Sequence, residues 1–274
     1  MRWNDDLNSN KNRIVILCGP KLHHQNTCAT LIRSGLNIVG ICMADQRTAG
    51  LPLDYLKKSA KKKGLWRTAS RSLARVAYLA LNKRQDDLAY EQLYNRREIE
   101  EALRAFEDRI HRTENYSSAE TMAWLKERES DIFVVHTPYW VGKKVRELPR
   151  KGIVLGGHPG ITPEYRGSHS AFWAIYKQKP EDVGCTVFLI DSGVDTGDVV
   201  TQERIPVAKG DSFMTLSWKG MIRIAQLQAQ ALSNMDQGHE LPRRKINEIP
   251  PNSEFDNPTF GEFLRYRLRQ QLVR

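Results

Sequence analysis

The sequence predicts an α/β fold in which helices cover both faces of an open, mainly parallel β-sheet. Short apolar runs rich in β-branched residues alternate along the 274-residue chain with segments of helical length. These runs are apolar at consecutive positions rather than at every second one, which indicates strands buried on both faces. Strands and helices that alternate in this way are typical of a parallel sheet with crossover helices.

The predicted elements begin with a β-α-β pattern. Residues 13–18 (RIVILC) and 37–43 (NIVGICM) are predicted strands, and a segment of helical length separates them. Later apolar runs predict three more strands, over residues 131–136, 152–155 and 184–190. Amphipathic segments predict helices over residues 117–128, 141–148 and 168–177, and a longer helix that follows Asp211 and ends near Met235.

The alternation is interrupted between the second and third predicted strands. Residues 52–114 are highly charged and rich in helix formers, whereas connections in such folds are normally short. We therefore predict a helical, basic insertion within one domain that spans residues 1–210. Residues 211–274 are predicted to form a C-terminal extension, because the long helix is followed by an irregular, proline-containing stretch.

The positive charge of the chain is concentrated in one segment. The net charge is +10, and residues 57–84 contain ten basic residues and no acidic one. Outside that segment the chain has 32 basic and 32 acidic residues. Three interpretations remain open: a face attracted to an anionic membrane, a dock for an acidic carrier protein or nucleic acid, or a solvated helix face packed on the body.

Composition excludes several classes of protein. No window approaches the roughly 18 consecutive apolar residues that a membrane-spanning helix needs, and residues 1–12 are polar. The four cysteines form no CxxC pair and the seven histidines form no HExxH motif. We therefore expect a cytoplasmic protein with reduced thiols and no metal site.

One loop at the end of a predicted strand concentrates unusual residues. Residues 156–167 read GGHPGITPEYRG, so glycines and prolines fix the backbone around His158. In open parallel sheets, ligands bind beyond the carboxyl ends of the strands. A histidine held there can exchange protons with a substrate near neutral pH. The alternative is a histidine that only bonds to the loop backbone.

A second loop places carboxylates after another predicted strand. Residues 191–198 read DSGVDTGD, with acidic side chains at Asp191, Asp195 and Asp198. A carboxylate beside an imidazole would orient the ring and favour its protonated form. By itself the segment is also compatible with a solvated turn or a calcium-like loop, but its pairing with His158 favours the first interpretation.

These loops resemble those of a known family. Residues 158–167 (HPGITPEYRG), 168–175 (SHSAFWAI) and 184–198 (GCTVFLIDSGVDTGD), in this order and spacing, are similar to the folate-dependent formyltransferases. That family includes glycinamide ribonucleotide transformylase, the methionyl-tRNA formyltransferases and the sugar N-formyltransferases. The resemblance is close over residues 131–207 and looser over residues 13–43.

The resemblance implies a Rossmann-like fold and a specific chemistry. Members of the family move a formyl group from N10-formyltetrahydrofolate to a primary amine, without a metal. His158 matches the catalytic histidine of the family, and Asp195 matches its catalytic aspartate. The backbone after the fifth predicted strand would line the pterin pocket, at Ile190, Asp191, Ser192, Gly193 and Val194.

The chain departs from the family pattern at one important position. The family has Asn-x-His, and its asparagine falls on Gly156, so one donor to the formyl oxygen is missing. Loss of such a donor commonly lowers the rate by about 100- to 1000-fold. His136 and Tyr139, which lie at the end of the neighbouring strand, are candidate replacement donors. One alternative is that these two side chains are only structural. Another is that backbone N–H groups near Gly156 donate to the formyl oxygen instead.

The remaining expectations concern substrates and partners. The first loop, residues 19–26 (GPKLHHQN), lacks GxGxxG and the P-loop pattern, so Lys21 and His23 are candidates for a substrate rather than for a dinucleotide. We expect a small or carrier-linked amine as acceptor, no nucleic acid, and compatibility with a homodimer. Two alternative functions are a formyltetrahydrofolate hydrolase and a catalytically impaired folate- or ligand-binding protein.

Overall fold

A computed structural model describes residues 11–45, 61 and 64–272, and in them a seven-stranded sheet forms the centre of the molecule. Lys57, Lys58, Lys62 and Lys63 of the basic segment lie outside the described residues. The strands of the central sheet are β1 (Ile14–Cys18), β2 (Ile38–Ala44), β3 (Ile110–Thr113), β4 (Ile132–His136), β5 (Ile153–His158), β7 (Gly184–Leu189) and β8 (Val199–Arg204). A separate two-stranded sheet pairs β6 (Arg166–Gly167) with β9 (Glu254–Phe255).

The order of strands in the central sheet is β3-β2-β1-β4-β5-β7-β8. The pairs from β3 to β5 are parallel, whereas β7 runs antiparallel to both β5 and β8. The predicted α/β fold with a mainly parallel sheet is therefore confirmed. All five predicted strands are present, but the sequence analysis does not predict β3 or β8 or the reversed direction of β7.

Helices cover both faces of the sheet. Their bounds in the described residues are α1 (Leu22–Arg33), α2 (Leu65–Leu93), α3 (Arg96–Arg104), α4 (Ala119–Glu127), α5 (Lys143–Arg146), α6 (Ser170–Tyr176), α7 (Phe213–Asp236) and α8 (Phe260–Leu272). None of these helices is long and apolar enough to cross a membrane.

The strand side chains divide the core into two layers. Along β1, Ile14 and Ile16 belong to the larger cluster under α1 and α7, whereas Val15 and Leu17 belong to a smaller cluster with Leu125 of α4. Every residue of β1 is fully buried. This explains why the run is apolar at consecutive positions: both of its faces are covered. The four cysteines are buried and unpaired.

The described part of the segment predicted as an insertion, residues 61 and 64–114, packs on the body. Its end forms β3, which pairs with β2 at the edge of the sheet. Ile99 and Leu103 of α3 are buried in the larger core cluster, and α3 packs on α1. The long helix α2 is anchored along one side only, and its other side faces solvent. The sequence prediction missed the strand because β3 is short and only half-buried.

The extension predicted after residue 210 is likewise part of the core. In α7, Ile224 is fully buried and lies against Gly157 of β5, where even a Cβ atom would approach its Cγ2 to 2.2 Å. Beyond α7 the chain is irregular until β9 and α8. Residues 213–272 therefore complete one face of the domain rather than extending from it.

One buried polar contact joins α2 to α7. Ser212 caps α7 by accepting a hydrogen bond from the Thr215 N–H at 3.0 Å, and its hydroxyl donates to Asp86 Oδ1 at 2.6 Å. The Tyr78 hydroxyl donates to the other oxygen of Asp86. Burial, together with this bond, raises the pKa of Tyr78, so the phenol remains a donor. Asp86 thus satisfies two buried hydroxyl groups at once.

Removing this carboxylate should therefore destabilise the protein. We expect Asp86→Ala to lower the free energy of unfolding by about 1–2 kcal/mol, since it removes the carboxylate acceptor of both hydroxyls and leaves Tyr78 and Ser212 with their longer contacts of 3.2 Å to Ser212 Oγ and Thr215 Oγ1. Asp87→Ala is the matched control: Asp87 is exposed and pairs only with Lys83, and such pairs contribute less than about 1 kcal/mol. Urea unfolding of the two variants measures the difference, and equal losses would contradict the assignment.

Candidate active site

The structure brings together the two side chains on which the sequence analysis concentrates. His158 is the last residue of β5, and Asp195 lies in the loop between β7 and β8. Asp195 Oδ2 is 3.2 Å from His158 Nδ1, and the two side chains are 7% and 19% exposed. Asp195 has a φ of 52°, a left-handed conformation that is uncommon for residues other than glycine. The loop is thus held in a conformation that turns this carboxylate towards the histidine.

The other ring nitrogen of His158 is also bound. Nε2 lies 2.8 Å from the carbonyl oxygen of Tyr165 and 2.8 Å from Ser170 Oγ. A carbonyl oxygen accepts hydrogen bonds but cannot donate one. The same holds for the ionised carboxylate of Asp195 beside Nδ1. Each ring nitrogen of His158 therefore faces at least one hydrogen-bonding oxygen, and the ring is held from both of its edges.

Ser170 is a residue that the sequence analysis missed. The order Ser170–His158–Asp195 resembles that of a nucleophilic triad. However, Ser170 is only 2% exposed and also donates to the Tyr165 carbonyl at 3.0 Å. Gly160 packs so closely that a Cβ there would lie 2.5 Å from Ser170 Oγ. Because no reactant can approach the hydroxyl, the geometry assigns Ser170 to positioning the His158 ring.

Arg166 ties the loop that carries Asp195 to the C-terminal segment. Its Nη1 donates to the carbonyl oxygen of Val194 at 2.9 Å, and its Nε donates to Ser253 Oγ at 3.2 Å. The Gly167 N–H donates to Asp195 Oδ2 at 3.0 Å. The contacts of Arg166 with Val194 and of Gly167 with Asp195 hold the Asp195 loop against β6, which in turn pairs with β9. No local sequence pattern marks Ser253, since it lies 87 residues from Arg166.

The residues predicted to line a pterin pocket form an exposed turn. Asp191, Ser192, Gly193 and Val194 are exposed, and Ile190 is partly buried. Asp191 closes the turn by accepting hydrogen bonds from the Gly193 N–H at 2.9 Å and from Thr196 Oγ1 at 2.8 Å. The Ile190 N–H donates to the Val154 carbonyl at 2.8 Å. The Val194 carbonyl at the end of the turn accepts a hydrogen bond from Arg166 Nη1 at 2.9 Å.

The space beside Gly156 is filled by an apolar side chain. A Cβ atom on Gly156 would lie 2.7 Å from Ile190 Cγ1 and 3.3 Å from Phe188 Cζ. Ile190 thus occupies the volume into which a side chain at position 156 would extend. The glycine and the isoleucine belong to one packing arrangement, which explains how the core tolerates Gly156.

The two candidate replacement donors lie on opposite faces of the sheet. The His136 side chain faces the α1 layer, where its Nδ1 bonds to Thr27 Oγ1, whereas Gly156 faces Ile190 and the α4 layer. The alternation of side chains along parallel strands gives the same result, since Val134 pairs with Leu155. His136 therefore cannot fill the place of the missing side chain. Tyr139 is partly buried in the same cluster as Ile190, and it stays a candidate.

The first loop contains a cluster of neutral histidines instead of a charged anion site. Burial lowers the pKa of His23 to about 3, of His24 to about 2 and of His136 to about 4. The His23 main-chain N–H and Nδ1 lie 3.1 and 3.0 Å from the Tyr90 hydroxyl. A neutral His23 does not attract a phosphate. Of the two candidates, Lys21, which is exposed at the start of α1, is therefore the one that could bind a substrate phosphate. Within the residues described, no group of three or more His, Cys, Asp or Glu side chains is arranged to hold a metal ion.

Comparison with known proteins gives three findings. A family model described as "Formyl transferase" matches residues 65–234, which is more than half of the chain. The methionyl-tRNA formyltransferase of Microcystis aeruginosa is 30% identical over 153 residues, covering 54% of this chain and 43% of that protein. The methionyl-tRNA formyltransferase of Synechocystis is 32% identical over 124 residues, covering 45% and 37%. The chain thus matches less than half of the length of these relatives.

Solved structures share the fold at low sequence identity. A 4-N formyltransferase from Francisella tularensis superposes with a TM-score of 0.54 at 12% identity, covering 94% of this chain and 87% of that one. A phosphoribosylglycinamide formyltransferase from Bacillus halodurans gives a TM-score of 0.53 at 16% identity, covering 82% and 95%. At these identities the likeness concerns the fold alone.

Restoring an asparagine at position 156 should create a steric conflict. We expect Gly156→Asn to lower the free energy of unfolding by about 1–3 kcal/mol, because the new side chain must displace Ile190. The double variant Gly156→Asn/Ile190→Ala should be less destabilised than the sum of its two single changes. Urea unfolding in a double-mutant cycle measures this coupling. Strict additivity would show that Ile190 does not occupy the place of the side chain.

The buried histidines should make stability depend on pH. A histidine in the unfolded chain has a pKa near 6.5, whereas the pKa of His136 in the folded protein is about 4. The neutral, buried ring of His136 therefore makes its full contribution to stability above pH 6.5. That contribution is lost as the pH falls from 6.5 towards 4, by up to about 1.4 kcal/mol per pH unit for each such histidine. His136→Gln should reduce the slope of unfolding free energy against pH between 6.5 and 5. Parallel slopes for the two proteins would contradict this.

Proposed function

The chain belongs to the formyl transferase family, and from this membership we propose that it transfers a formyl group from N10-formyltetrahydrofolate to a primary amine. The acceptor we propose is a small or carrier-linked amine. The printed names of its relatives and structural neighbours mention methionyl-tRNA, phosphoribosylglycinamide and sugars, so amine acceptors of several sizes occur on this fold.

One observation carries the proposal. His158 and Asp195 come from two separate parts of the chain, yet His158 Nδ1 and Asp195 Oδ2 lie 3.2 Å apart at the carboxyl end of the parallel part of the sheet. Two titratable side chains that are largely withdrawn from solvent and in contact with each other are typical of a functional site.

The donor groups around the pair are compatible with a folate. The turn from Asp191 to Val194 exposes main-chain N–H and carbonyl groups, which suit the polar edge of a flat heteroaromatic ring. Ile190, partly buried next to the turn, supplies an apolar wall. When bound, the folate supplies the formyl group that is transferred to the amine. We propose that Ile190 and the turn hold its pterin ring.

The contribution of His158 is then mainly electrostatic. Attack of an amine on a formyl carbon places negative charge on the formyl oxygen, and a nearby imidazolium stabilises that charge. His158 Nε2 is already bound to the Tyr165 carbonyl, so the ring would act through its charge as much as through a new hydrogen bond. Asp195 and the Tyr165 carbonyl orient the ring, and Ser170 fixes its plane.

The absence of the family asparagine has a consequence for rate. Gly156 offers no side-chain donor, and Ile190 fills the adjacent volume. Tyr139 is the candidate that remains on the correct face of the sheet. We expect slow turnover unless Tyr139 or a backbone N–H supplies the second hydrogen bond to the formyl oxygen.

Formyl transfer can be measured with N10-formyltetrahydrofolate and a panel of amines that includes amino sugars, phosphoribosylglycinamide and methionyl-tRNA. We expect at least one acceptor to be formylated, and His158→Asn and Asp195→Asn to lower kcat by about 100- to 1000-fold. His239→Asn is the matched control, because His239 is exposed and remote from the site in sequence. The readouts are the formylated product and tetrahydrofolate.

Three outcomes separate the alternatives. Formate released in the absence of any amine would indicate the hydrolase. Binding of a formyltetrahydrofolate analogue without either reaction would indicate a ligand-binding protein. Full turnover of both site variants, with folding verified by circular dichroism, would remove the proposed roles of His158 and Asp195.

A further inference from the structure

Three residues lie in a row across the antiparallel part of the sheet. His158 of β5 is paired with Thr186 of β7, and Thr186 is paired with Gln202 of β8. Residues directly opposite each other in neighbouring strands place their side chains on the same face of a sheet. The side chains of Thr186, which is fully buried, and of Gln202, which is partly buried, therefore share a face with that of His158.

Thr186 and Gln202 bind the main chain of the loop that follows His158. The Thr186 hydroxyl donates to the Gly160 carbonyl at 2.7 Å and accepts from the Thr162 N–H at 3.2 Å. Gln202 Nε2 donates to the Thr162 carbonyl at 2.6 Å and to Thr186 Oγ1 at 3.1 Å. A hydroxyl has one donor and two acceptor positions, so Thr186 uses all three. This part of the loop is thus fixed to the sheet through three main-chain groups.

Arg244 holds the amide of Gln202 in the orientation that these bonds require. Its Nη2 donates to Gln202 Oε1, so the amide nitrogen is the atom that faces the loop. A guanidinium cannot accept a hydrogen bond, and a reversed amide would therefore place two donors against each other. Arg244 is itself fixed by two main-chain hydrogen bonds with Val199 of β8, at 2.8 and 2.9 Å. Thr186, Gln202 and Arg244 together form the loop clamp.

The part of the loop that the clamp fixes lies against the ring of His158. The Gly160 N–H donates to the His158 carbonyl at 2.8 Å, and a Cβ atom at Gly160 would lie only 2.6 Å from His158 Nε2. The Tyr165 N–H donates to the Ile161 carbonyl at 2.8 Å, and the Tyr165 carbonyl lies 2.8 Å from the same ring nitrogen. A displacement of residues 160–162 would therefore move two groups that surround Nε2.

We propose that the loop clamp positions the ring of His158 for the chemistry of the site, by fixing residues 160–162 beside the ring. A side chain that stabilises a developing charge must be held close to its productive orientation, and small displacements lower the rate steeply. The chemical part of this inference rests on the formyl transfer proposed above, whereas the orientation of the ring does not.

Nuclear magnetic resonance of the imidazole rings tests the positioning without reference to activity. The chemical shifts of the ring nitrogens report their hydrogen bonds, and the signals of His158 are identified by their loss in His158→Asn. We expect Gln202→Leu and Arg244→Ala to shift the Nε2 signal of His158 and to leave the signals of the exposed His239 unchanged. Because Arg244 is exposed, its removal leaves the core intact, and Arg244→Ala decides the question if Gln202→Leu does not fold.

Kinetics give the second measurement. If the unmodified protein formylates an amine, both clamp variants should lower kcat by about 10- to 100-fold, because the ring leaves its productive orientation. The KM for N10-formyltetrahydrofolate should change little, since the clamp binds the loop after His158 and not the turn proposed to hold the pterin. An unmodified protein that formylates no amine would contradict the proposed function, and the ring signals would still decide the positioning.

Glu203→Gln is the matched control. Glu203 is the next residue of β8, and it pairs with Arg223 of α7 at 2.7 Å. Neighbouring residues of a strand point to opposite faces, so this variant disturbs the same strand away from the clamp. The ring signals of His158 and kcat should stay as in the unmodified protein.

Three results would overturn the proposal. The first is an unchanged His158 signal in each clamp variant that folds, and the second is an equal change in Glu203→Gln. The third is full kcat in both clamp variants. A shifted signal in Gln202→Leu alone would remove Arg244 from the clamp.

Discussion

The carboxylate of Asp195 is the contact on which the site depends. It accepts from His158 Nδ1 and from the Gly167 N–H at the same time, and so it joins the loop after β7 to the loop after β5. The left-handed backbone at Asp195 is the local strain that this arrangement requires, and the surrounding contacts maintain it. Without this carboxylate the ring of His158 would lose its orientation and its compensating charge together.

Support for this contact comes from distant parts of the chain. Arg166 binds the carbonyl of Val194 and the hydroxyl of Ser253, so the C-terminal segment braces the loop that carries Asp195. Ser170 and the Tyr165 carbonyl hold the opposite edge of the ring. These contacts fix the relative positions of the ring and the carboxylate, which is what the proposed function requires of them.

Gly156 changes the balance of interactions around the histidine. Where a side-chain amide would stand, Ile190 makes an apolar contact, and one polar group is exchanged for packing. In the function proposed above, the lack of a side-chain donor at position 156 leaves His158 as the side chain that would stabilise an oxyanion. In a partly dry environment, a charge acts more strongly than it does in water. The departure from the family pattern therefore involves two residues that pack against each other, Gly156 and Ile190.

The sequence alone determined the layered α/β fold and five of the strands, because consecutive apolar residues report burial directly, and its resemblance to a known family singled out His158 and Asp195. It missed β3 and β8, and it did not predict that Ile99 and Leu103 of the segment read as an insertion, or Phe213 and Ile224 of the segment read as an extension, belong to the main core cluster. Ser170, Ser253 and the opposed faces of His136 and Gly156 were decided by tertiary structure. These contacts join residues far apart in the chain, and strand register decides which side chains share a face, so no local pattern contains them.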